Sequence, residues 1–273
     1  WAGVWGGGYT EFANNHSFEY KFAYNPGTTN NRRTRGGPLT LNKPGFETYT
    51  YYDTDGKAKF FWFIEGYSYS QPENQSYDWN IFPGFECKPV STLTLRVGPG
   101  FERVIQDVQY VDQFDDPAAT GTYGRRYVFA ELDQKTLVAN IRLNWSFTPT
   151  ISLQTYFQPL ISAGDYYEFK SLDRPKSYDF GAYDYLGTPY PGSSDLPSNP
   201  DFNFKSLRGN AVFRWEYRPG STMYLVWQHG RQDSPDATNT HRMTQSWSRD
   251  YRDLFSAHPN NTFLIKVAYW MNR

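Results

Sequence analysis

From Lys135 to Ala163 the side chains alternate so regularly that a hairpin is legible from polarity alone. Leu137, Ala139, Ile141, Leu143, Trp145 and Phe147 fall on one face of an extended chain, with Thr136, Val138, Asn140, Arg142, Asn144 and Ser146 on the other. Thr148, Pro149 and Thr150 make the turn. On the return, Ile151, Leu153, Thr155, Phe157, Pro159 and Ile161 oppose Ser152, Gln154, Tyr156, Gln158, Leu160 and Ser162. Two environments produce such a hairpin: a protein core against the apolar face with water on the other, or lipid outside and a wet lumen inside. Length favours the second, since a membrane strand needs about 9–11 tilted residues and sandwich strands more often run about 5–6.

The same period recurs along the chain. Trp1 to Phe12, with Trp1, Trp5 and Tyr9 among Gly6, Gly7 and Gly8, reads as an edge or closing strand, and Phe18, Tyr20, Phe22 and Tyr24 form an outward aromatic stripe. Strands follow at 46–53 and 57–69, joined at Thr54, Asp55 and Gly56. Tyr77, Trp79, Ile81, Pro83 and Phe85 then oppose Asp78, Asn80, Phe82, Gly84 and Glu86, while Leu93, Leu95 and Val97 oppose Thr92, Thr94 and Arg96. Further strands are predicted at 105–114 and 125–133, around a polar loop at 115–124. A second hairpin, 204–217 with 222–232, turns at Arg218, Pro219 and Gly220. The last strand, 261–271, sets Phe263, Ile265, Val267, Tyr269 and Met271 against Thr262, Leu264, Lys266, Ala268 and Trp270. Residues 25–44 and 164–203 read as long loops, and 249–257 as a short helix within a polar segment.

The pattern therefore predicts an all-β chain: an antiparallel transmembrane β-barrel of about fourteen strands, with short turns on one side and long loops on the other. An even count would place both termini on one side, and the final strand would close against the first so that no edge remains. A soluble β-sandwich is the competing fold; it requires Trp79, Trp145 and Phe157 to face protein.

Composition narrows the class. The chain has 273 residues with no compositional break, so residues 1–273 read as a single outer-membrane β-barrel domain. Hydrophobic residues are only 38%, and no run approaches the ~20 apolar residues of a membrane helix; the alternating strands of a membrane barrel remain compatible. Aromatic residues reach 19%, as expected where strands meet lipid headgroups. A net charge of −1 gives no global field that would point to nucleic acid. The lone Cys87 excludes an intrachain disulfide and a thiolate metal cluster. Because the sequence opens at Trp1, either an export signal has been removed or it is a piece of something longer.

Several stretches go beyond pattern: TRGGPL (34–39), LRVGPGF (95–101), RYVFAELDQ (126–134), LNWSFTPTISLQ (143–154), FKSLRGNAVFRWEYRPGSTMYLVW (204–227) and FLIKVAYW (263–270). Together they resemble the DUF5916 family of bacterial exported proteins. That resemblance implies an N-terminal carbohydrate-binding-like module followed by a β-barrel predicted to lie in the outer membrane, with this chain as the C-terminal part of the barrel region. It implies no activity and no catalytic residue.

Candidate chemistry lies on the polar face. Arg96, Arg142, Arg208, Asn210, Arg214, Glu216 and Lys266, with Glu65, Asp78 and Glu86, are the candidates for a lumen that solutes touch; Glu19, Lys21 and Glu47 share that face. Acidic groups come mainly from the first strands and basic ones from the later strands, a separation that would create a field across a narrow passage. The competing account is that these charges pair and merely satisfy one another. Trp79, Trp145, Phe157, Phe263 and Tyr269 are the candidate lipid-facing aromatics.

Arg32, Arg33 and Arg35 suit lipopolysaccharide phosphates or an acidic partner. Asn74, Tyr69 and the loop from Tyr183 to Tyr190 are candidate sugar contacts. The four histidines, His16, His229, His241 and His258, lack metal-ligand spacing, so no metal and no cofactor is expected. The expected function is a passive channel or pore for small solutes in the bacterial outer membrane. A plugged barrel serving as a membrane anchor or partner-binding scaffold is the alternative, ahead of a hydrolase built on His241 and Ser246. Expected partners are the lipid bilayer, lipopolysaccharide, and a carbohydrate-binding-like domain or other subunits of an envelope assembly.

Overall fold

The computed structural model describes residues 3–235 and 245–271. Its strands are β1 (Val4–Glu11), β2 (Ser17–Asn25), β3 (Thr28–Asn30), β4 (Thr40–Asn42), β5 (Gly45–Asp53), β6 (Phe60–Gln71), β7 (Ser76–Val90), β8 (Leu93–Asp115), β9 (Arg125–Thr148), β10 (Ile151–Leu172), β11 (Phe180–Ala182), β12 (Phe202–Arg218), β13 (Ser221–Asp233) and β14 (Asn260–Ala268). Among the described residues one α-helix, α1, spans Trp247–Ser256. Eleven strands form an antiparallel meander in the order β1-β2-β5-β6-β7-β8-β9-β10-β12-β13-β14; β11 adds to β10, and β3 pairs with β4 in a separate small sheet.

The central strands are longer than the polarity pattern suggests. Residues 92–114 and 125–147 each read as two strands, yet β8 and β9 run unbroken for 23 and 24 residues. The register of their pairing slips between Gln106 and Gln109 and again between Tyr110 and Asp112. Each slip puts an extra residue in β8 and inverts its alternation between them, so that strand looks like two in sequence; β9 holds no extra residue, and its alternation is lost where Tyr127, Val128, Phe129 and Ala130 are all buried. A similar slip between Tyr167 and Lys170 hides the last turn-ward part of β10, which continues to Leu172 where a loop was expected.

The expected even count is also corrected. With eleven strands in the meander, β1 and β14 run in the same direction, and the two ends of the described chain lie at opposite ends of the sheet. β1 and β14 are its two edges and do not pair with each other. Connections do alternate in length as expected. Residues 12–16, 54–59, 91–92, 149–150 and 219–220 turn the chain tightly at one end, while 26–44, 116–124 and 173–201 lie at the other, where β13 also ends and β14 begins, with the short 72–75 as the exception there. At the tight end, Gly220 takes φ 78° after Pro219, a conformation that glycine reaches without strain.

Buried apolar side chains concentrate at the long-loop end. Tyr127, Val128, Phe129, Ala130 and Leu132 of β9 are buried, and Tyr127, Phe129 and Leu172 form a cluster closed over by Val108, Tyr110 and Phe180. Phe129 meets Phe180 and Tyr110 edge-on, with ring centroids 5.1 and 6.0 Å apart. Truncating it (Phe129→Ala) is expected to remove about 3–5 kcal/mol of stability, read as a lower denaturation midpoint of the folded protein.

Candidate functional site

Pairing fixes which side chains share a face. Leu93, Trp145, Leu153 and Phe213 are cross-strand partners, as are Leu225 with Ile265 and Trp227 with Phe263. Extended strand by strand, this row carries Trp79, Trp145, Phe157 and Phe263, and the same alternation leads past the end of β14 to Tyr269, whose hydroxyl accepts from Arg218 at 2.7 Å. Trp145 is 40% exposed and Phe263 76%. Among the described residues no second sheet covers this face, so they form no sandwich by themselves. The aromatic residues of β1 break the pattern: Trp5 and Tyr9 pair with Ala23 and Glu19 and so lie on the opposite face from the stripe of β2.

The apolar runs on this face have defined lengths. Leu137 to Phe147, Ile151 to Ile161 and Leu207 to Tyr217 each span eleven residues, and Leu93 to Phe101 spans nine. Towards the long loops they stop at charge. Arg103 holds Asp133 with two hydrogen bonds of 3.1 and 3.0 Å, and Lys135 lies 3.5 Å from the same carboxylate. Prolines interrupt the sheet twice within this band: at Pro159, where the β9–β10 ladder is missing from Phe157↔Ile141 to Leu160↔Val138, and between β7 and β8. By register Pro83 of β7 faces Pro99 of β8, and the ladder between them is missing from Ile81↔Phe101 to Phe85↔Val97, because neither residue has an N–H to donate.

All ten sequence candidates for solute contact lie on the other face. Glu65 pairs with Tyr51, Asp78 with Val104, Glu86 with Arg96, Arg96 with Arg142, Arg208 with Gln158, and Lys266 with Tyr224, which in turn faces Arg214. Asn210 and Glu216 follow Arg208 and Arg214 at two-residue spacing. The ion pairs on this face are local: Glu86 with Lys88 at 2.7 Å and Arg96 at 3.8 Å, Arg214 with Glu216 at 2.8 Å, and Glu19 with Lys21 at 2.6 Å. Arg142 instead sits over the Tyr156 ring at 5.1 Å. Among the described residues Arg142, Arg208 and Lys266 make no ion pair. Two hollows open beside them: one of about 450 Å³ between Glu65, Arg96, Asn140 and Arg142, another of about 420 Å³ between Tyr156, Gln158, Arg208 and Asn210.

Above this face, residues 26–44 form a strap that the sequence reads only as a loop. Its β3–β4 hairpin is locked by Arg33, which donates to Thr40 Oγ1 at 3.0 Å, to the Leu41 carbonyl at 2.5 Å and to Asn42 Oδ1 at 2.9 Å. The strap then bonds to the loop after β10, through Leu41 N–H to the Ser177 carbonyl (3.0 Å) and Lys176 N–H to the Leu39 carbonyl (2.6 Å). Arg35 lies 4.2 Å over the Tyr110 ring of β8. A cavity of about 390 Å³ remains beneath, lined by Arg32, Arg33 and Arg35 together with Tyr69, Asp78 and Gln106. Arg33 is thus spent on the hairpin itself, not offered to a phosphate.

Tyrosine–carboxylate bonds pin the cap. Tyr178 donates to Asp107 Oδ2 at 2.8 Å while Lys170 approaches Oδ1 at 2.6 Å, and Tyr185 and Tyr190 both donate to Asp112, at 3.0 and 2.8 Å. Burial, reinforced by Asp107, raises the Tyr178 phenol far above its ordinary value, and burial with Tyr190 and Asp112 does the same for Tyr185. Both therefore remain donors. Asn74 bonds Tyr178, and Tyr183 lies under Arg126 at 4.5 Å, so these candidate sugar contacts are engaged within the protein. Nothing in the sequence marks Asp107 and Asp112 as the anchors, since both lie in the bulged part of β8. Of the hydrolase candidates, His241 lies outside the described residues, and Ser246 is the N-cap of α1.

The sequence profile of a family described as a domain of unknown function, DUF5916, matches residues 6–272. The chain belongs to the DUF5916 family. No curated protein and no solved structure matches it. The family match brings no assigned activity to the charged face of this sheet.

One cap ion pair gives a pH signature. Burial pushes the Asp116 carboxyl up, but the 2.5 Å bond from Arg126, the Ala118 N–H and the Arg126 charge together hold it below the ordinary carboxylate value. Its stabilisation is therefore present above the unfolded pKa of about 3.9 and is lost as pH falls through the depressed folded value. Asp116→Asn should cost about 2 kcal/mol at neutral pH, and the gap in denaturation midpoint between variant and parent should close as the pH is taken below that window.

Proposed function

We propose that this sheet is the wall of an outer-membrane β-barrel that admits small solutes along its charged face. The observation that carries the reading is the band of nine- to eleven-residue apolar runs, which among the described residues no second sheet covers and α1 meets only at its edge, bounded by the Arg103–Asp133–Lys135 cluster. That length matches tilted strands crossing a hydrocarbon layer, and the alternation of tight turns with long loops matches such barrels. On the other face, Arg142, Arg208 and Lys266 make no ion pair among the described residues, which supports their being available to passing ions. All-antiparallel closure needs an even number of strands. A closed wall containing these eleven takes an odd number from outside residues 3–271, or joins β1 to β14 by one parallel seam.

The strap favours a second reading, a plugged barrel whose work lies in anchoring or in binding partners through its cap. It reaches from the β2–β5 connection to β8 and to the loop after β10, over the charged face. Conductance in planar bilayers separates the two. An open lumen conducts as purified; a strapped one conducts only after residues 27–43 are replaced by a short Gly/Ser linker; silence in both forms excludes a channel.

In a conducting barrel, Arg142→Ala or Arg208→Ala should lower anion preference by up to about fivefold, the effect of about 1 kcal/mol for one charge a few ångströms from an ion in water. Removing the neutral pair together, Arg214→Ala with Glu216→Ala, should leave selectivity unchanged. Equal responses to all three variants would place these arginines away from the ion path.

A further inference from the structure

Helix α1 lies on the apolar side of the sheet, at the edge of the band. Its first residue, Trp247, packs against Phe101 of β8 with ring centroids 6.2 Å apart. Asp250 Oδ1 accepts from Asn203 Nδ2 of β12 at 3.1 Å, and Arg231 of β13 donates to the Phe255 carbonyl. Phe101 pairs with Leu137, Asn203 with Ala163 and Arg231 with Leu207, so all three contacts belong to the face of Trp145 and Phe157. Ten helical residues extend about 15 Å, and β8 to β13 is four strand spacings, about 19 Å. The helix therefore crosses the strands and does not run along them.

Its side chains are distributed against the usual sense of an amphipathic helix on a soluble protein. The buried positions are Asp250 and Leu254, and beneath the helix Lys205 is fully buried against Asp233 at 2.9 Å. The outer side instead presents Trp247, Tyr251 and Phe255, which are 38, 58 and 43% exposed. Their spacing of four places them along one stripe, and the Tyr251 and Phe255 rings touch at 4.6 Å. Through Trp247 and Phe101 this stripe is continuous with the band, at the boundary where outward side chains change from Leu207 and Leu137 to Lys205 and Lys135. Trp and Tyr accumulate where hydrocarbon meets headgroups, and helices with one aromatic side settle in that layer.

We propose that α1 is an interfacial helix whose Trp247–Tyr251–Phe255 stripe enters the lipid headgroup layer on the long-loop side of the membrane. It fixes the depth of the sheet there and shields the Lys205–Asp233 pair from lipid. This rests on the membrane reading above, and the test separates the two. In a Cys87→Ala background, Tyr251→Cys (or Phe255→Cys, should the first fail to fold) carries an environment-sensitive fluorophore, and Phe157→Cys carries the same probe in the band. The full chain is reconstituted in phosphatidylcholine vesicles and exposed to a doxyl quencher near the headgroup, a doxyl quencher deep in the acyl chain, or aqueous iodide. The expected result is quenching of the helix probe mainly by the shallow doxyl with protection from iodide, and quenching of the band probe by the deep doxyl. A band probe quenched by lipid beside a helix probe quenched by iodide alone, or shielded from all three quenchers as under a protein partner, overturns the helix assignment and leaves the membrane reading standing. If neither probe responds to lipid quenchers, both fall.

Discussion

The structure depends on one constraint, the two-residue alternation of an extended chain held in register across neighbouring strands. Because partners in a ladder point the same way, a Trp145 opposite Leu153 and Leu93 assigns three strands at once, and the assignment passes along the meander to Ile265. A slip of one residue would exchange the faces and put Arg142 or Arg208 among Trp145 and Phe157. The cost of such an exchange rises with the number of strands that share the row, which is why the register is maintained through the ladder gap at Pro83 and Pro99. Register shifts fall towards the strand ends: in the long-loop extensions of β8 and β10, and beside the tight turns at Cys87–Val90, Ile151–Ser152 and Glu216–Arg218.

The two ends of the sheet solve different problems. At the tight end, connections as short as Pro149–Thr150 and Pro219–Gly220 only reverse the chain. At the other, long connections must satisfy their own backbone and polar groups, and they do so by leaning on the extensions of β8, β9 and β10. There the apolar cluster around Phe129 is buried, and carboxylates on β8 collect tyrosine hydroxyls from a loop that returns after sixty residues or more. The strap exploits the same surface, with Arg33 closing its own hairpin and Arg35 resting on Tyr110. The result is a rigid cap on a sheet whose remaining surface is divided between exposed apolar and exposed charged side chains. Local pairing of Glu86 with Arg96 and of Arg214 with Glu216 tempers the charged face without cancelling it.

Much of this was legible in the sequence. Alternation alone separated Trp79, Trp145, Phe157 and Phe263 from Arg96, Arg142, Arg208 and Lys266, gave the short turns at Thr148–Thr150 and Arg218–Gly220, and located the helix to within two residues. It misjudged the lengths of β8 and β10, since a bulge inverts the very period by which strands are read, and that of β9, where burial of both faces at Tyr127–Ala130 erases the period. It treated residues 25–44 as an open loop because the partners of that segment, Ser177, Tyr178 and Tyr110, are distant in sequence. The depth of Lys205 was equally hidden: a lysine at the polar end of a strand reads as solvated, yet it is fully buried with its ammonium on Asp233.

The sequence by itself determined the class of fold, the two faces and the family, because these follow from a local period and from the order of motifs along the chain. The tertiary structure alone decided the number of strands in the meander, the parallel sense of its two edges, the strap over the charged face and the placement of α1 across the outer side. Each of these depends on contacts between segments far apart in the chain, for which periodicity carries no signal.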